Sequence, residues 1–330
     1  MTAKIQGAEA TPDERKQAAA NWAAGVMNLE SIRLAPVSGD ASFRRYFRFM
    51  ANDTPVILMD APPEKEDSAP FIDIAGRLQQ AGLKAPAILE FDLQQGFGLL
   101  EDFGDTLYRE LITEKSADSL FPDLFDVLNG MARHVSTNGL PQYDEAALAS
   151  ELDLFNTWYL DLHKNRPLSG KEPAIWQNVC RLLIESAREQ PQVFVHKDFH
   201  SCNLLQTGGG PGIIDFQDGL RGPISYDFIS LVWDRYIAWP RERIEAWMQD
   251  AHEMFPLGCS LSEWVRYCDW MGLQRNLKIA GIFARLRHRD GKLGYVEMIP
   301  RFYQYLLDVL PLYSEFDDFR ELLEEKDCAP

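Results

Sequence analysis

The chain changes its hydrophobic rhythm twice, and the changes divide it. Thr11-Pro12-Asp13-Glu14 opens a helix: Thr11 caps, Pro12 suits the first helical position, and Glu14 completes a capping box. That helix is expected to run to about Asn28. Residues 32–37 then read as a strand, Ser38-Gly39-Asp40-Ala41-Ser42 as a turn, and Phe43, Tyr46, Phe47 and Phe49 as the marks of a second strand. Ala51-Asn52-Asp53-Thr54 turns the chain into the apolar run Val56-Ile57-Leu58-Met59. A helix from Ser68 to Ala81, stopped by Gly82, precedes two more strands at 87–93 and 97–101.

From about residue 104 the apolar positions take helical spacing, through 119–136, 144–163 and 172–188. One β-rich island interrupts at 193–216, and helices return from 224. The acidic stretch Glu315–Asp327 reads as a solvated helix face. No repeat, linker or low-complexity tract is present. The expected architecture is α+β in two lobes sharing a cleft: a β-rich lobe over residues 1–103 and a mainly helical lobe over 104–330 carrying the β island.

Composition supports a packed protein. The chain has 330 residues, 46% of them hydrophobic and 12% aromatic, ample for a core in each lobe. The net charge of −17 repels phosphate backbones and argues against a nucleic-acid partner. Five cysteines, Cys180, Cys202, Cys259, Cys268 and Cys328, form no CxxC pair, which points to a reducing compartment. No apolar signal region and no run of about 18 uncharged apolar residues occurs, so a cytoplasmic protein without a membrane span is expected.

The island carries the chemistry. It contains Val195-His196-Lys197-Asp198-Phe199-His200-Ser201-Cys202-Asn203-Leu204-Leu205, then a glycine turn at 208–212, then Ile213-Ile214-Asp215-Phe216. H-x-D-x-x-x-x-N followed by an apolar pair and an Asp matches the kinase catalytic-loop and metal-binding pattern. Phosphoryl transfer asks for a hydroxyl held in line and for cations on the developing phosphate charge. Asp198, just past a strand, is placed to accept the hydroxyl proton. Asn203 and Asp215, expected side by side across the glycine turn, offer one neutral and one anionic oxygen to Mg²⁺. His196 is expected to brace the loop.

At these residues the chain resembles the aminoglycoside phosphotransferase family, which implies a protein-kinase-like fold. The resemblance covers nearly the whole chain. Ser38, Gly39, Asp40, Ala41, Ser42 and Phe43 resemble the family's nucleotide-covering loop. Leu99-Leu100-Glu101-Asp102-Phe103 resembles the hinge that meets the adenine, which implicates Glu101 and Phe103 in nucleotide binding. Gly222-Pro223-Ile224-Ser225-Tyr226-Asp227 resembles the segment whose Asp steadies the catalytic loop. The runs SGDASFRRYFR, MDAPPEKED, DFQD, GPISYD and LQRNLKIAGIFARL are similar to the bacterial anomeric sugar kinases. Those phosphorylate N-acetylmuramate and N-acetylglucosamine at C1 in cell-wall recycling. One departure stands out: the family's third-strand Lys is missing from Val56-Ile57-Leu58-Met59-Asp60. Lys65 is the first substitute, with Arg44, Arg45 and Arg48 as alternatives and Asp73 as a possible partner for the substitute.

The resemblance implies a kinase that uses ATP (or GTP) and Mg²⁺ and phosphorylates a small-molecule sugar as a monomer. Asp218, Arg221, Trp233, Asp234 and Arg235 follow the metal motif and are candidates for the acceptor site. Arg275, with Asn276 and Lys278, forms a later polar cluster suited to a lactyl carboxylate. Other small alcohols (an aminoglycoside, choline, homoserine) stay open as acceptors. A pseudokinase that binds nucleotide without turnover stays open too, motivated by the missing Lys.

Overall fold

The computed structural model describes residues 12–37, 43–234 and 236–325. In chain order the elements are α1 (Pro12–Val26), β1 (Ala35–Pro36), β2 (Arg45–Ala51), β3 (Thr54–Asp60), α2 (Ala69–Gln80), β4 (Ile88–Asp92), β5 (Phe97–Glu101), α3 (Tyr108–Leu111), α4 (Ala117–His134) and α5 (Glu145–Leu154). There follow α6 (Glu172–Glu189), β6 (Gln192–Val195), β7 (Leu204–Thr207), β8 (Gly210–Ile213), β9 (Leu220–Pro223), α7 (Ser225–Val232), α8 (Arg241–Met254), α9 (Leu261–His288), α10 (Ile299–Val309) and α11 (Asp317–Glu325). The described residues divide into two compact units. The first draws on Met1–Gln80, Lys84–Asp105 and Leu205–Gln217, the second on Ala81–Leu83, Thr106–Leu204 and Asp218–Pro330. The hairpin carrying Asp215 groups with the first unit.

The first unit is built on a five-stranded antiparallel sheet in the order β1-β2-β3-β5-β4. Asn52 and Asp53 both take left-handed backbone (φ 47° and 68°), as a two-residue hairpin whose twist matches its strands requires. Alternation along the strands sends Phe47, Phe49, Val56, Leu58, Phe97 and Leu99 into one core, closed by Ala19 and Ala23 of α1. β1 is only two residues long, where a strand over 32–37 was expected. Pro36 cannot donate to a ladder, and such a strand is confined to the sheet edge. The Ser38–Ser42 turn lies outside the described residues, as does Thr11. Gly82, in left-handed backbone at φ 77°, follows α2.

The second unit is organised by α9, which packs against α5, α6, α7, α8 and α10. A capping box starts it: Ser260 Oγ accepts the Glu263 N–H at 3.3 Å, and Glu263 Oε2 accepts the Ser260 N–H at 2.9 Å. A Cβ at Gly281 would lie 2.3 Å from the Leu154 carbonyl carbon, so only glycine allows this crossing of α9 over α5. At that point α5 widens into a π-helical stretch, Phe155–His163, where plain helix was expected through 163. β9 was also missed. Its sequence, Leu-Arg-Gly-Pro, reads as turn chemistry and is a strand only because β6 pairs with it. Within the acidic C-terminal stretch, α11 buries Phe319, Leu322 and Leu323 while its acids face water. Among the described residues no helix is long and apolar enough to cross a membrane.

Candidate active site

β6 ends at Val195, and the chain then bends through Lys197 in left-handed backbone, φ 76°. That conformation costs a side-chain-bearing residue roughly 1–2 kcal/mol, so something must hold it. Asp227, on α7, does so. Its Oδ2 accepts the His196 N–H at 2.6 Å and its Oδ1 the Lys197 N–H at 3.1 Å. Burial pushes the Asp227 carboxyl up to about 7, against the pull of these two donors. His196 is fully buried, and its Nδ1 accepts the Asp198 N–H at 3.2 Å.

Asp198 is exposed at the tip of this bend, although the protein around it is dense enough to desolvate it. Desolvation raises its carboxyl. His200, His196, Lys278 and Arg275 outweigh that and hold it below the usual carboxylate range. Asp198 is thus an anion at neutral pH. The next turn, Ser201–Asn203, is held by Asp234, whose Oδ2 accepts both the N–H (3.2 Å) and the hydroxyl of Ser201. Asp234, a candidate acceptor contact from sequence, thus supports the loop. Asn203 Nδ2 donates to the Asp198 carbonyl at 3.0 Å, which ties the end of the turn to the catalytic bend.

Behind the loop lies a buried network that sequence reasoning missed. Glu151 of α5 sets Oε1 2.8 Å from Lys278 Nζ and 3.4 Å from Lys197 Nζ. Its Oε2 accepts from the Tyr143 hydroxyl and from Gln274 Nε2, the latter at 3.3 Å. Lys278 Nζ also donates to the Tyr226 hydroxyl at 3.0 Å. Burial works to raise the Glu151 carboxyl, and Lys278 and Lys197 hold it low. Nothing local in α5 marks Glu151, because its partners are far along the chain.

In the first unit, Asp215 follows β8 in left-handed backbone, φ 62°, and its Oδ1 accepts from Gln217 Nε2 at 2.8 Å. Phe216, fully buried, stacks on Phe71 with centroids 5.0 Å apart, which anchors the segment. The hairpin is tied back by the Ile213 N–H, which donates to the Lys84 carbonyl at 2.7 Å. A Cβ at Gly212 would meet the Phe103 ring at 2.6 Å, so the half-buried Phe103 lies directly on the hairpin. Glu101 is exposed, and its Oε2 accepts the Ala87 N–H at 3.2 Å. Asn203 and Asp215 each carry an oxygen donor of the type that a hard cation such as Mg²⁺ takes. Among the described residues no three or more His, Cys, Asp or Glu side chains gather at a metal-sized point.

Of the cations weighed for the missing Lys, three are already engaged. Arg45 Nε meets Asp60 Oδ2 at 2.9 Å, beside Arg15 Nε on Oδ1 at 2.7 Å. Arg48 grips Asp102 with two nitrogens and Asp105 at 2.7 Å. Arg44 pairs with Glu66 at 3.1 Å. Asp73 pairs with Arg77 one turn along α2, at 2.9 Å. Lys65 is exposed, on the turn after β3, with Nζ 5.4 Å from the Phe43 ring centroid. Glu66 accepts the Phe43 N–H at 3.3 Å, so the Lys65 turn is tied to the chain at Phe43.

The acceptor candidates separate. Trp233 is 1% exposed and stacks on Tyr305 at 5.2 Å, with Gly272 leaving room for its ring. It is core, because α7 turns that face inward against α9 and α10. Arg275 is 7% exposed and donates to Ser230 Oγ at 2.7 Å, so it acts on Asp198 from within rather than lying open. Asn276 is buried beside it. Asp218 and Arg221 are exposed, and Arg235 lies outside the described residues.

The model of the Phosphotransferase enzyme family matches residues 33–264. The chain belongs to this family. The phosphotransferase is similar to the N-acetylmuramate/N-acetylglucosamine kinase of Pseudomonas aeruginosa, 42% identical over 91% of this chain and 90% of that protein. It is similar to the protein of the same name from Neisseria meningitidis serogroup B, 36% identical over 92% and 94%. Among solved structures it resembles choline kinase LicA from Streptococcus pneumoniae, with TM-score 0.62, 12% identity, and coverage of 89% of this chain and 99% of that one. It also resembles a thermostable mutant of aminoglycoside phosphotransferase APH(4)-Ia in ternary complex with ADP and hygromycin B, with TM-score 0.57, 14% identity, and coverage of 87% and 97%. At these identities the structural likeness concerns the fold, and the phosphotransferase shares its protein-kinase-like α+β architecture.

Proposed function

We propose that this phosphotransferase moves the γ-phosphate of ATP to the anomeric hydroxyl of N-acetylmuramate or N-acetylglucosamine. The observation that carries this reading is the likeness to the Pseudomonas aeruginosa kinase, 42% identical along nine-tenths of both chains. The local chemistry agrees with it. Asp198 is anionic and sits on a loop braced by Asp227, His196 and Asp234. It accepts the hydrogen of the acceptor hydroxyl and orients the oxygen, taking the proton late in a loose transition state. A hemiacetal hydroxyl is a stronger acid than an ordinary alcohol, so a carboxylate this weakly basic suffices. Asn203 and Asp215 would hold Mg²⁺, which when bound neutralises charge on the nucleotide phosphates. Lys65, on its proline-stiffened turn, supplies the phosphate contact of the missing strand Lys. The first unit takes the nucleotide and the second supplies the hydroxyl chemistry.

The test offers N-acetylmuramate, N-acetylglucosamine and their 1-O-methyl glycosides with ATP or GTP, follows nucleotide consumption and locates the phosphate. Turnover of the free sugars alone is expected. Equal turnover of the methyl glycosides moves the reaction to another hydroxyl. Brisk turnover confined to an aminoglycoside or choline removes the amino-sugar reading.

A further inference from the structure

We propose that Glu151 is a positioning residue for phosphoryl transfer, whose charge keeps Lys278 engaged behind the catalytic loop and away from Asp198. The geometry is a shared carboxylate. One oxygen of Glu151 lies 2.8 Å from Lys278 Nζ and 3.4 Å from Lys197 Nζ, and the other is filled by Tyr143 and Gln274. Both lysines are drawn to the one carboxylate. Lys278 is held there a second time by the Tyr226 hydroxyl at 3.0 Å, and Lys197 lies over the Tyr143 ring at 5.6 Å.

The charge count shows why this matters. Lys278 acts on two carboxylates, Glu151 and Asp198, of which Lys197 shares the first, while Arg275 and His200 also act on the second. Lys278 helps His200 and His196 to hold the Asp198 carboxyl low. A buried ammonium group is costly unless it is paired. With the Glu151 charge removed, Asp198 is the remaining anion of this set, and Lys278 has a flexible four-carbon stem on which to reach it. An Asp198 engaged by Lys278 cannot take the hydroxyl hydrogen. Glu151 therefore acts through a lysine, without touching substrate. It also anchors the left-handed Lys197 by its side chain while Asp227 anchors it by its backbone.

The inference rests on the kinase reading above and uses the amino sugar only as acceptor. Should the protein phosphorylate another alcohol, the same variants are compared on that alcohol, so failure of the sugar reading leaves this comparison intact. The variants are Glu151→Gln, which keeps shape and removes charge, and Glu151→Gln with Lys278→Met. In the single variant kcat falls about tenfold or more while the apparent nucleotide KM stays within about twofold, the split expected of a group acting on the chemical step. In the double variant kcat recovers by about threefold or more over the single one, since the intruding cation is gone. A purely structural Glu151 gives no such recovery, because a second loss from the network only adds damage. Parental kcat in Glu151→Gln, or a further fall in the double variant, overturns the proposal. If Glu151→Gln does not fold, Glu151→Asp retracts the carboxylate from both lysines and carries the same comparison: adding Lys278→Met then raises kcat, and a fall overturns the proposal.

Discussion

The Asp227 carboxylate accepts the backbone N–H of His196 at 2.6 Å, two residues before the Asp198 that the loop presents. One buried carboxylate on α7 thereby sets the conformation of a loop to which it is not connected. Its environment works against its charge: burial pushes the carboxyl up to about 7 from an ordinary 3.8. Between those values the folded chain binds more protons than the unfolded one, so the contribution of Asp227 to stability is complete below about pH 4 and lost as pH rises to about 7. Thermal unfolding of the parent and of Asp227→Asn across this window tests it. The parent is expected to lose Tm relative to the variant from pH 4 to 7 and to run parallel above. A constant difference across the window contradicts the assignment.

Asp198→Asn should lower kcat by about 10²-fold or more, the range for a positioned acid–base group, with Tm near the parent because the side chain is exposed. The asparagine can orient a hydroxyl but cannot take its proton. Near-parental turnover in a folded variant removes Asp198 from the catalytic role.

Asp215→Ala should abolish Mg²⁺-dependent turnover, and Asn203→Ala should raise the Mg²⁺ concentration needed for half-maximal rate, because a carboxylate contributes more to holding a hard cation than a neutral amide does. Titration of Mg²⁺ at fixed nucleotide separates the two. An unchanged Mg²⁺ requirement in both variants contradicts the metal assignment.

Lys65→Ala should raise the apparent nucleotide KM and leave Tm unchanged, since Lys65 is exposed. Arg48→Ala should do the reverse. It leaves Asp102, 3% exposed, without its guanidinium, and breaking such a pair costs about 2–4 kcal/mol, reduced from the fully buried range because Arg48 is 26% exposed. Nucleotide titrations and thermal melts on the two variants decide it. A nucleotide effect confined to Arg44, Arg45 or Arg48 variants removes Lys65.

Much of this protein is written locally. Strand alternation over residues 45–60, helical spacing beyond 104, and the H-x-D-x-x-x-x-N run between an apolar strand and a glycine turn each depend on neighbours within a few positions. The sequence by itself therefore determined the α+β class, the place of the island and the family resemblance. Tertiary structure alone decided what each polar side chain touches. Arg45 and Arg48 read as available phosphate cations until Asp60 and Asp102 meet them. Trp233 reads as a sugar platform until Tyr305 and Gly272 enclose it. Glu151 has no mark in α5, yet it faces Lys197 of the catalytic loop and Lys278 of α9. Burial and ion pairing are set by segments far apart in the chain. A pattern of neighbours carries no record of them, and the Asp227 and Asp234 contacts that hold the catalytic loop are of the same long-range kind.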